Sequence, residues 1–129
     1  MMKTPKVKVT PEIQKVIIDE LISLGVPPSV LGYEYMKVAL YYILENPLAV
    51  YSITKELYPA VAMEVGSTPS RVERALRHSV EKLYNDGDPD MLEKYFGLVS
   101  SRDKGKVTNS QFLSVMAERI RKKVGAYNG

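Results

Sequence analysis

The chain has 129 residues, 45% of them hydrophobic, and a net charge of +3, which suits one domain with a core of its own. It contains no cysteine, which excludes disulfides and thiolate metal sites and fits a reducing cytoplasm. No uninterrupted apolar run reaches the roughly 18 residues of a membrane span, and the basic start of the chain has no apolar stretch behind it, so it does not read as a signal peptide.

In chain order, residues 1–9 read as a basic tail or linker carrying Lys3, Lys6 and Lys8. Thr10-Pro11-Glu12 reads as a helix start, with a capping hydroxyl, a first-turn proline and an acid. Ile13, Val16, Ile17, Leu21 and Leu24 follow at helical spacing, and Gly25 is placed to close the helix. After the extended Val26-Pro27-Pro28, a second helix is predicted from Val30 or Tyr33 to Glu45, with Met36, Ala39, Leu40, Ile43 and Leu44 inward. Asn46-Pro47 ends it. Ser52 is placed to cap a short helix to Leu57, and Pro59 suits the first turn of another that stops before Gly66.

The run Thr68–Tyr84 then reads as one helix with two unlike faces. At ~100° per residue, Val72, Ala75, Leu76, Ser79, Val80 and Leu83 share one arc. Ser70, Arg71, Arg74, Arg77, His78 and Lys82 share the other, with Glu73 at the edge. Asn85-Asp-Gly-Asp88 breaks the helix, and Asp88-Pro89 starts a short one to about Tyr95. The loop 97–107 leads to Thr108-Asn109-Ser110-Gln111, which has the form of a capping box. A last helix presents Phe112, Val115, Met116 and Ile120 inward, with Arg119, Arg121, Lys122 and Lys123 near its end, where cations suit its dipole. No segment alternates like a strand. The fold expected is all-α, of about six helices, in a domain spanning residues 10–129.

Ala62, Gly66 and Val72 have the spacing of a helix-turn-helix: a small residue at a close crossing, a glycine at the turn, a branched residue seating the second helix. Arginines in a first turn oppose the helix dipole, so stability alone does not account for them. A polyanion does. Arg71 is placed for a bidentate guanine contact and Glu73 for accepting from cytosine N4, while Arg74, Arg77 and His78 sit farther along, suited to phosphates or a second base step. An i,i+4 surface pair of Glu73 with Arg77 is the competing use of those two residues. Charge distribution points the same way. The segment from Arg102 to Lys123 holds seven basic residues against Asp103 and Glu118. Lys104 and Lys106 precede a helix N-terminus and could hold a phosphate or form a solvated loop.

Other chemistries fit poorly. Asp86-Gly-Asp88-Pro-Asp90 has Met91 and Gly97 where a calcium loop needs glycine and a bidentate glutamate. His78 is the only histidine and lies among cations, so neither a metal centre nor an enzyme is expected, and no cofactor is called for. The tyrosines at 33, 35, 41, 42, 51 and 58 read as packing residues.

Ser52-Ile-Thr-Lys55, Leu57-Tyr-Pro59, Ser70-Arg-Val-Glu-Arg-Ala75, Arg77-His78, Phe96-Gly97 and Thr108-Asn-Ser110 together resemble the effector domain of the sporulation master response regulator of endospore-forming bacteria. The similarity extends from about Leu21 to about Arg121. It implies a six-helix domain that binds short repeated boxes in double-stranded DNA, often as a head-to-tail pair, to activate or repress transcription. It implies base reading by Arg71 and Glu73, and backbone contacts by Arg74, Arg77 and His78. Ser70, Lys55, Lys104 and Lys106 complete the expected backbone set. The segment from Gly87 to Gly97, including Phe96, corresponds to a contact with RNA polymerase sigma factor, although the acidic 86–90 stretch departs from the family's pattern. Full-length members also carry a phospho-acceptor receiver domain, so this sequence reads as an excised effector domain or a receiverless relative. The second functional reading is a protein-interaction module that pairs with a full-length regulator without specific DNA binding.

Overall fold

A computed structural model describes residues 6–26, 31–97 and 107–125. Six α-helices account for most of them: α1 Pro11–Leu24, α2 Leu31–Glu45, α3 Tyr58–Val65, α4 Pro69–Asp86, α5 Pro89–Phe96 and α6 Asn109–Lys123. No strand occurs among the described residues, and none of their helices is long and apolar enough to cross a membrane. The all-α expectation holds.

The helix starts follow the local signals. Thr10 Oγ1 accepts from the Ile13 amide, and Gly25 closes α1 in the left-handed region. Thr108 and Gln111 form the reciprocal capping box of α6, and Asp88 Oδ1 accepts from the Asp90 and Met91 amides at the start of α5.

Two local readings need correction. The helix expected to stop at Tyr84 runs on to Asp86, because Asn85 and Asp86 still take helical geometry and the break comes at Gly87. Ser52 makes no side-chain cap. Instead, a 3-10 turn over Pro47–Tyr51 leads into a wider π-type turn over Ile53–Leu57 that runs straight into α3. There the Leu57 amide bonds the Ser52 carbonyl at 3.2 Å and the Tyr58 amide reaches the Ile53 carbonyl. A widened turn ahead of Pro59 fits a residue that has no amide to donate.

α2 runs through the centre. Met36, Ala39, Leu40, Ile43 and Leu44 have no exposed surface. Its start meets α4 at a close crossing. A methyl group on Gly32 would lie 1.6 Å from Ser79 Oγ and 2.8 Å from the Ala75 carbonyl oxygen, so only glycine lets the two helices approach this far. Ser79 itself donates back to that carbonyl at 2.8 Å. Of the basic stretch at the start of the chain, residues 6–9 are described. They run along the end of α2, with the Val7 amide on the Leu44 carbonyl and the Val9 amide on the Glu45 carboxylate.

α6 is held by polar groups as well as by Phe112, Leu113, Met116 and Ile120. Glu20 on α1 is 2% exposed and accepts from Lys123 Nζ at 2.8 Å and Arg119 Nε at 3.4 Å. The Arg119 guanidinium also lies 3.5 Å from the centre of the Tyr95 ring, which ties α5 to the same cluster. Arg121 lies in the last turn of α6, as expected. It is buried, with Nη2 at 3.5 Å from the Ile43 carbonyl oxygen, so its charge meets the C-terminal end of α2.

Two predictions follow from this packing. Gly32→Ala gains up to about 1 kcal/mol of helix propensity but forces an overpacked crossing worth about 1–3 kcal/mol. Net destabilisation in urea titration is therefore expected, and an unchanged midpoint would contradict the crossing. Burial raises the hydroxyl pKa values of Tyr58 and Tyr84. A raised folded value means stability that is present below the ordinary tyrosine pKa of about 10 and is lost as pH rises through the folded values. Tyr84 Oη also has no hydrogen-bond partner among the described residues. Tyr84→Phe should thus keep or raise stability at neutral pH, by up to about 1 kcal/mol, and reduce the alkaline loss seen in pH-dependent unfolding.

Candidate nucleic-acid interface

α3 ends at Gly66, whose φ of +69° is left-handed backbone that suits glycine. Two residues later Thr68 caps α4, its Oγ1 accepting from the Arg71 amide at 3.3 Å, and Pro69 occupies the first turn. This helix, short turn and second helix agree with the helix-turn-helix that the spacing of Ala62, Gly66 and Val72 predicts. Ala62 and Val72 are both buried.

α4 sits on the core through Val72, Leu76, Val80 and Leu83. Burying each is worth roughly 1.5–3 kcal/mol. Arginine in the first turn opposes the dipole by only about 0.3–1 kcal/mol. The apolar contacts therefore set the orientation of α4, and the polar face is carried outward whatever its charges.

That outward face has two edges. Along one lie Arg71, Arg74, His78 and Lys82. Arg71, Arg74 and His78 are exposed, and among the described residues their side chains have no hydrogen-bond or ion-pair partner. Along the other lie Glu73, Arg77 and Glu81. Arg77 Nε donates to Glu73 Oε2 at 2.9 Å, and its Nη1 lies 3.7 Å from Glu81 Oε1. The hydrogen bond to Glu73 and the charge beside it raise the Arg77 pKa above its ordinary value. The i,i+4 pair foreseen as the competing use of Glu73 and Arg77 is thus formed in the free chain.

The second edge borders α6. Asn109 Nδ2 lies 3.0 Å from the Tyr58 hydroxyl and donates to the Glu73 carbonyl oxygen at 3.2 Å. One amide thereby joins the first residue of α3, the second turn of α4 and the start of α6. Sequence reasoning places Asn109 in a cap and misses this bridge, because its partners are 51 and 36 residues away.

The remaining candidates are dispersed. Ser70 is exposed in the first turn of α4, and Lys55 is exposed on the turn before α3. Lys104 and Lys106 lie outside the described residues. In the segment considered for a sigma-factor contact, Phe96 is fully enclosed and stacks on Phe112 at 5.4 Å between ring centres. Its ring is a core residue, which leaves the exposed Asp90, Glu93 and Lys94 of α5, with Gly87 and Gly97 at its ends, as the accessible part.

Asn109→Ala removes two hydrogen bonds at a three-helix junction, each worth about 0.5–1.5 kcal/mol net. A loss of about 1–3 kcal/mol in denaturant unfolding is expected, and a loss under about 0.5 kcal/mol would show that the bridge does not hold the junction.

Residues 17–120 match the family described as "Sporulation initiation factor Spo0A C terminal". The match covers α4 whole, together with α2, α3 and α5. The chain belongs to this family of DNA-binding transcription-factor domains.

Proposed function

We propose that this chain binds specific sequences in double-stranded DNA by laying α4 in the major groove, and that it regulates transcription in sporulation-type gene control. Arg71 and Glu73 read base edges, and Arg74, Arg77, His78, Ser70 and Lys55 hold the backbone, with Lys104 and Lys106 as further contacts. One observation carries the reading: Arg71, Arg74 and His78 stand exposed, with no side-chain partner among the described residues, on a helix locked to the core by its opposite face. Recognition helices read bases near their N-terminal ends while flanking residues hold phosphates. Arg71 is in the first turn of α4.

The ion pair on Glu73 does not oppose this role. Exposed i,i+4 pairs are worth a few tenths of a kcal/mol, whereas a good base contact contributes about 1–3 kcal/mol. The carboxylate can therefore exchange Arg77 for cytosine N4 with net gain, and the freed guanidinium can move to a phosphate. The reading extends to two partners that the family resemblance implies: a second domain placed head-to-tail on adjacent boxes, and sigma factor at the exposed face of α5.

Selection of bound sites from random duplex DNA tests the function directly. A recurring box is expected, and retained pairing with a full-length regulator with no box at low salt would favour the interaction-module reading. With the box in hand, Arg71→Ala should weaken it by about 1–3 kcal/mol and relax choice at one base pair. Arg74→Gln should weaken cognate and scrambled duplexes alike and reduce the slope of log affinity against log salt by about one. An Arg71→Ala chain with unchanged box affinity in gel-shift titration would remove the base-reading assignment.

A further inference from the structure

The basic edge of α4 does not face open solvent along its length. It forms one wall of a groove whose other wall is the start of α2, with the Gly66-Ser67 turn at one end. Tyr35 lines this groove from the α2 side. Only 7% of that residue is exposed, yet its hydroxyl has no hydrogen-bond partner among the described residues and is not among the enclosed orphan atoms. Buried tyrosine hydroxyls ordinarily find a partner. Tyr35 lines a groove whose other polar side chains are Ser67, Arg71, Arg74, His78, Ser79 and Lys82, with no carboxylate among the described residues that line it. The ligand that such a set of donors lacks is an anion with several acceptor oxygens.

Length narrows the choice. From Arg71 to Lys82 the edge spans eleven residues of α-helix, about 16 Å. A stripe of that length suits a run of phosphates, of which each strand carries one per about 3.4 Å of duplex axis, better than a single small anion. Lys82 is tied to Asp86 at 2.9 Å, but both side chains are more than half exposed, so the pair is weak and exchangeable. On the other edge the charged residues of α4 itself, Glu73, Arg77 and Glu81, sum to a net negative charge.

We propose that the α2–α4 groove grips the DNA backbone beside the reading edge, with Tyr35 and Lys82 as phosphate-holding residues in addition to Arg74 and His78. Gly32 sets the depth of the groove, because its close contact with Ser79 brings Tyr35 up to α4. The proposal rests on the DNA-binding reading and adds the α2 wall to it.

The test uses the whole chain and the duplex selected from random DNA. Tyr35→Phe keeps the ring in its place and deletes only the donor. It should weaken the selected and a scrambled duplex by the same factor, roughly three- to tenfold, with an unchanged melting temperature. Lys82→Gln should do likewise and lower the salt slope by about one. A duplex carrying a neutral methylphosphonate at each backbone position in turn should reveal one phosphate whose neutralisation harms the wild type more than the Tyr35→Phe chain. Wild-type affinity for the Tyr35→Phe chain, or full additivity at every phosphate, would overturn the proposal. If Arg71→Ala still relaxes base choice in that case, the groove alone fails and the DNA reading stands. If the wild-type chain binds no duplex, both fail together.

Discussion

The contact on which the rest of this structure depends is the seating of α4 through Val72, Leu76, Val80 and Leu83, and the approach of α2 to it at Gly32 and Ser79. Four buried aliphatic side chains outweigh any arrangement of exposed charges on the same helix by several kcal/mol. The helix can therefore carry arginine where its own dipole disfavours it. A polar face relieved of responsibility for folding is free to be composed for a ligand. The small residues at the α2 crossing do the complementary work, since they let a second wall stand beside that face.

Around this seat, long-range polar contacts decide where α6 lies. Glu20 is nearly enclosed and shared by Lys123 and Arg119. Arg121 is drawn to the end of α2, and Asn109 bridges α3 and α4. A buried carboxylate left without its cations is strongly unfavourable, so these contacts favour one placement of α6 over others that would bury similar apolar area. That placement brings the start of α6 against the Glu73 edge of α4. The two edges of the outward face of α4 thus differ in their neighbours as well as in their charges.

What could be read in the sequence was what depends on neighbours within a turn or two. Thr10, Thr108, Asp88, Pro11 and Pro69 mark helix starts because caps and first-turn prolines act locally. The apolar arc of α4 is visible because its period is 3.6. The failures share a cause. Ser52 has the chemistry of a cap, but the widened turn before Pro59 uses its carbonyl instead. The approach of Arg121 to the Ile43 carbonyl is not legible, because that residue lies 78 positions away. Phe96 was grouped with a contact segment although its ring packs on Phe112. The site shows the same division: the two-faced helix was legible, whereas Tyr35 read as one packing tyrosine among six, because its groove exists only once α2 lies on α4.

The asymmetry of α4 also bears on how a duplex can lie against it. A helix laid in a major groove would have a strand on each side, and the two sides of α4 are unequal. The Arg71–Lys82 edge presents donors in a line, while the other edge holds one guanidinium between two carboxylates. A polyanion brought against the second edge meets net repulsion until Glu73 is taken up by a base or Arg77 is released. Approach on the first edge meets no such barrier. On the proposed DNA-binding reading, backbone capture on the α2 side would precede base reading, and Glu73 would exchange partners only when the correct base pair offers a donor. A wrong base pair would then leave the carboxylate on Arg77 and the arginine unavailable to phosphate. On that reading a local ion pair worth little to stability would couple base identity to backbone affinity, so that discrimination at Glu73 would exceed the loss of a single hydrogen bond.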